Sequence, residues 1–166
     1  MTASTRPLKL DAWGISWEEY KELTYFCLQY EQKKRDAAAM LTIRTATPAP
    51  TMYHKGGKVF GTFLPHGSGI SDPVAATAAK RDRLLTDIRM IEQAAKGASD
   101  AARDMYKWTI DPRYIIRAVT KRSGVQALYA NPDTRPPMGE RQFYTVRRIF
   151  YWILHEMKNG DLGSIA

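Results

Sequence analysis

At 166 residues and 44% hydrophobic content, the chain is long enough for one domain with a real core. Its net charge of +8 and pI near 9.6 point to an anionic partner, either nucleic acid or an acidic protein surface. A single cysteine, Cys27, excludes an internal disulfide, and neither an apolar leader at the N-terminus nor a long apolar run is present, so an intracellular protein with no membrane contact is expected.

Residues 1–15 read as an irregular arm, with Trp13 and Ile15 as its anchors. Ser16 and Glu19 form a capping-box signature that starts a helix. Tyr20, Leu23, Cys27, Tyr30, Ala37 and Leu41 make its apolar stripe, and the helix is expected to run to about Ile43. Its charges cancel, so it reads as a packing helix or coiled-coil arm.

Residues 45–70 show no helical period. Pro48 and Pro50 exclude a helix interior there, and Gly56-Gly57 sits between short runs that suit a small hairpin. The following His66-Gly67-Ser68-Gly69 lacks the lysine and the preceding strand of a phosphate-binding loop and reads as a surface excursion. Asp72-Pro73 restarts the helix, with Asp as cap and Pro at the first position. Val74, Ala78, Leu84, Leu85, Ile88, Ile91 and Ala95 mark its buried stripe, and Gly97 is expected to end it. Two such helices should pair antiparallel.

Ser99-Asp100 is then expected to cap a shorter helix holding Met105 and Trp108. Asp111-Pro112 starts the next, Pro112–Arg122, ended by Gly124. Val125–Ala130 forms one or two helical turns, and a proline-rich loop, Asn131–Gly139, follows. The strongest pattern lies last, over Glu140–Lys158. Phe143, Val146, Phe150, Ile153 and Met157 are spaced three, four, three, four on one stripe. Arg141, Tyr144, Thr145, Arg148, Tyr151, Trp152 and His155 face outward, polar at the start and aromatic at the end.

From Arg113 to Arg148 eight bases stand against two acids, a net +6 of the chain's +8. A helix, a short helix, a loop and a longer helix with arginines in its first turns is the layout of a helix-turn-helix unit. In such a unit the last helix enters the major groove of duplex DNA. Arg141 and Arg148 suit guanine edges and Gln142 suits adenine, while Lys121 and Arg122 would hold backbone phosphate. Tyr151 and Trp152 suit a homodimer or partner contact; burial within the chain and stacking on unpaired bases are the alternatives.

At these residues the chain resembles small helical phage and prophage regulators of Gram-positive, clostridial-type bacteria, loosely of the RinA and ArpU kind. The resemblance rests on W-G-I-S-W-E-E-Y at Trp13–Tyr20, S-D-P-V-A at Ser71–Ala75, R-D-R-L-L-x-D-I-R-M-I-E at Arg81–Glu92 and G-E-R-Q-F-Y-x-x-R-R-x-F-Y at Gly139–Tyr151. It implies a sigma-factor-like helix-turn-helix whose recognition helix carries Arg141, Gln142, Tyr144, Thr145, Arg147 and Arg148. The loop before that helix is longer here than the short turn of the pattern. The resemblance also implies the cytoplasm of a host bacterium, with host RNA polymerase as a further contact.

The fold expected is all-α: a long antiparallel helical hairpin plus a C-terminal helix-turn-helix-like bundle. The division expected is an N-terminal arm and hairpin over 1–98, carrying the irregular loop 45–70, and a DNA-binding domain over 99–166. No motif supports catalysis, a metal or a cofactor: His54, His66 and His155 are scattered, and no nucleophile signature occurs. The function expected is a DNA-binding transcriptional regulator. The alternative is a phage anti-defence protein of the anti-CRISPR type that binds a host nuclease complex.

Overall fold

The computed structural model describes residues 8–45, 54–55, 58–59 and 73–160. Six α-helices make up most of it: α1 (Trp17–Leu28), α2 (Tyr30–Thr45), α3 (Pro73–Tyr106), α4 (Pro112–Val119), α5 (Gly124–Ala130) and α6 (Glu140–Asn159). The all-α expectation holds. The exception is a two-residue antiparallel ladder, β1 (His54–Lys55) with β2 (Lys58–Val59), pairing His54 with Val59 where a small hairpin was expected; Gly56 and Gly57 lie outside the described residues. The rest of the 45–70 excursion beyond Thr45, the His66–Gly69 segment and the Asp72 cap lie outside the described residues.

α1 begins at the expected capping box. The Glu19 amide donates to the Ser16 hydroxyl at 3.3 Å, and the Ser16 amide donates to the Glu19 carboxylate at 2.7 Å. The single helix expected to Ile43 is interrupted at Gln29, which keeps helical dihedrals (φ −80°, ψ −7°), so α2 continues after one residue. Before it, the chain makes a short 3-10 turn at Asp11–Trp13, closed by left-handed Gly14, and buries Leu8, Leu10 and Ile15.

α2 and α3 pair antiparallel, as two polar ties record. Tyr30 donates to Glu92 at 2.7 Å and Lys33 to Asp87 at 2.6 Å, so the numbering rises on one helix as it falls on the other. α3 differs from expectation. It runs unbroken for 34 residues, about 50 Å, through both Gly97 and Ser99. Gly97 is not a cap: a Cβ there would sit 3.2 Å from Ile153 Cδ1, so the missing side chain lets α6 approach α3. The Ser99 hydroxyl donates to the Ile110 carbonyl instead of starting a helix. α3 therefore crosses the boundary expected between residues 98 and 99, and one core cluster draws on both sides, from Leu8 to Leu154.

α6 packs mainly on α3, with α1 and α4 beside it. Among the described residues no helix is long and apolar enough to cross a membrane.

Candidate nucleic-acid interface

The expected α6 stripe is inside: Phe143, Val146 and Phe150 are fully buried, and Ile153 and Met157 pack against the core half-buried. The buried face is wider than the stripe, however, because Ile149, Tyr151, Leu154 and Arg147 also go in. What remains outside is narrow. Arg141 and Trp152 are exposed, with Thr145 and Arg148 half-exposed between them, at a spacing of four, three, four. That spacing is one helical stripe. It presents two guanidinium groups and a hydroxyl over the first half of the helix, then an indole.

Two expected site residues are corrected. Arg147, expected on the recognition surface, is 3% exposed and sits between the Tyr144 and Tyr151 rings at 5.5 and 5.9 Å. Its Nε and Nη1 have no hydrogen-bond partner. Tyr151, expected at a partner interface, is 1% exposed and meets Tyr20 of α1 edge-on at 5.1 Å. Burial pushes its phenol well above the usual tyrosine range. The reason is common to both: α1 and α3 flank α6 on two sides, so a second, off-stripe face is covered. Trp152 does stay exposed, resting on Trp13 of the N-terminal arm at 6.3 Å. Tyr144 is half-buried.

Gln142 has a second task. Its side-chain carbonyl accepts from the Gly139 amide at 2.9 Å and closes the first turn of α6. The preceding loop is folded onto α5. Asn131 Oδ1 accepts from the Asp133 amide, the Thr134 hydroxyl donates to the Leu128 carbonyl, and Tyr129 donates to the Met138 carbonyl at 3.1 Å. The long loop is thus a fixed spacer.

The tight turn of this segment lies between α4 and α5. α4 stops at Val119, three residues short of Arg122, so Lys121 and Arg122 fall in the turn before α5 and are exposed there. Gly124 does not end α4 but opens α5, pressed against it: a Cβ would stand 2.2 Å from the Ala118 carbonyl oxygen. Beneath the turn lies a cavity of about 200 Å³ whose lining includes Arg117, Lys121 and Asn131. Arg117 and Asn131 were not among the expected site residues. The signal was there, since Arg117 and Lys121 stand four apart in the sequence, at the spacing of one helix face.

On the hairpin side Lys21 pairs with Glu18, Lys33 with Asp87 and Arg103 with Asp100, while Lys34, Arg35, Arg83 and Arg89 make no ion pair among the described residues. In the basic segment Arg113, Arg117, Lys121, Arg135, Arg141 and Arg148 make no ion pair among the described residues. No group of three or more His, Cys, Asp and Glu is placed to hold a metal among the described residues. No family model, curated protein or solved structure matches the chain.

Proposed function

We propose that the protein binds duplex DNA, with α6 in the major groove, and regulates transcription in the manner of the phage regulators it resembles. The observation that carries the reading is the density of cations from Arg113 to Arg148, eight against two acids, of which Arg113, Arg117, Lys121, Arg135, Arg141 and Arg148 make no ion pair among the described residues. Unpaired surface cations are held ready to displace counterions from phosphate. α6 is the reading element rather than α5, because the exposed residues of α5, Gln126, Ala127 and Ala130, carry no charge. Arg141, Thr145 and Arg148 would reach base edges, and Lys121 and Arg122 backbone. Arg147 is buried and takes no part in the contact. A homodimer would present two such helices to half-sites about one helical turn apart.

The test is a gel shift over a salt series. Affinity is expected to fall steeply with salt, and Arg141→Ala or Arg148→Ala to weaken specific binding by about 1–3 kcal/mol each. Absence of binding to any duplex at low salt overturns the reading.

A second reading, an inhibitor of a host defence nuclease, draws on a different surface. Trp17 and Trp152 are 49% and 37% exposed, and indoles of this kind anchor protein interfaces. Stoichiometric recovery of a nuclease complex by a protein that itself binds no DNA would favour it.

A further inference from the structure

We infer that the cavity between α4 and α5 is a seat for one backbone phosphate and its sugar, an anchoring site separate from the α6 stripe; this rests on the DNA-binding reading above. Its rim is donor-rich. Arg117 and Lys121 stand four apart on the same side of the chain, neither holds an acid, and no carboxylate lines the cavity. The Asn131 amide joins them, and because its Oδ1 is already committed to the Asp133 N–H, its orientation is set and its NH2 is the end left to donate. The floor is the opposite in character: Gly124, Ala127 and Leu128 offer carbon and no polar side-chain atom. Cationic donors above an apolar floor match a phosphodiester whose anionic oxygens face the rim and whose sugar carbons lie on the floor.

The geometry is fixed rather than incidental. Gly124 lets α5 close on the Ala118 carbonyl, which sets the cavity's depth, and the Thr134 hydroxyl ties the far wall to the Leu128 carbonyl. A phosphate held here would fix the register of α6 in the groove, since the α5–α6 loop is tied down at Tyr129 and Met138.

The test measures binding of a short mixed-sequence duplex between about 50 and 200 mM salt. The Arg117→Ala/Lys121→Ala double variant is compared with Arg83→Ala/Arg89→Ala, which removes the same charge from exposed positions on α3. Loss of one phosphate contact is expected to lower the salt slope by about one, so that the double variant's affinity falls about three- to fourfold less than wild type's across that range. The α3 control should keep the wild-type slope. Ala127→Glu and Ala130→Glu then add one carboxylate each to exposed positions of α5, only the first of them in the cavity lining. Ala127→Glu is expected to weaken binding more than Ala130→Glu and to lower the salt slope by about one, where Ala130→Glu leaves the slope unchanged. An unchanged slope in the double variant, or equal effects of the two glutamates, overturns the phosphate seat while leaving DNA binding standing. Failure of the wild type to bind the duplex overturns both.

Discussion

Arg147 is a charged group on the buried face of α6, among hydrophobic neighbours, and its two orphan nitrogens have a cost. A buried guanidinium without an acid loses hydration that two tyrosine faces recover only in part. Arg147→Met keeps length and packing but removes the charge, and is expected to raise stability by about 1–3 kcal/mol in urea unfolding. Duplex affinity should be unchanged, because the side chain is not on the outer stripe. Cys27 is the opposite case, a buried group at ease. Desolvation pushes its thiol up to about 12, with the Lys158, Lys33 and Arg147 charges opposing weakly. It is expected to resist a thiol reagent in the folded protein at neutral pH and to react only after denaturation. Glu19 is shifted the other way. The Ser16 backbone bond first, then the Ser16 hydroxyl and His155, hold its carboxyl below the usual 4.5. Its contribution is therefore complete above that value and is lost as pH falls through the lower folded value. A pH titration of thermal stability should show that loss in wild type and a smaller one in Glu19→Gln. At this scale the sequence was least informative: arginine normally faces out and tyrosine goes either way, and only the placement of α1 and α3 sends Arg147 and Tyr151 in.

Two glycines show what an element's sequence can and cannot tell. Gly97 and Gly124 both look like helix stops, and neither is one. At Gly97 the added methyl would meet the far end of a flexible isoleucine at 3.2 Å, while alanine's helix propensity is worth about 1 kcal/mol over glycine. Gly97→Ala is expected to lie within about 1 kcal/mol of wild type. At Gly124 the methyl would meet backbone at 2.2 Å, which only a shift of α5 can relieve. Gly124→Ala is expected to cost about 3 kcal/mol and to weaken duplex binding, because the turn that carries Lys121 and Arg122 moves with α5. Chemical denaturation of the pair separates the two roles. A periodic stripe is legible because burial repeats with the helix. The α6 stripe, the Ser16 cap and the Asp111-Pro112 start, where Asp111 accepts from the Arg113 amide at 2.8 Å, were readable for that reason or from local hydrogen bonding. A glycine's meaning depends on what faces it across the fold, which no local pattern contains. The same holds for the basic segment: its charge was visible along the chain, but the cavity under the α4–α5 turn required α5 to fold back.

Across the whole molecule, burial is graded along the hairpin. Ile91, Ala94, Ala95, Ala98 and Ala102 of α3 are fully buried where α6 crosses them, whereas Val74 at its start is 55% exposed and Leu41 of α2 is 47% exposed. The polar ties follow the same gradient. Tyr30–Glu92 and Lys33–Asp87 lie toward the body, and Lys33 also covers the Phe26 ring at 4.0 Å. A long helix whose apolar face is covered over only part of its length should open from the uncovered end, because each outer turn gives up little burial when it unfolds. Native-state hydrogen exchange is the measurement. Amides from Ile91 to Ala102 and from Val146 to Leu154 are expected to exchange only through global unfolding, with a urea dependence equal to the equilibrium one. Amides of α2 beyond Ala37 and of α3 before Leu84 should exchange through smaller openings nearly independent of urea. Because α3 runs through both halves of the chain, the slowly exchanging amides on α3 and α6 should share one opening free energy. Two distinct plateaus, one for α3 and one for α4 to α6, would mean instead that the C-terminal bundle folds as a unit of its own, and that the continuity of α3 does not couple it to the hairpin.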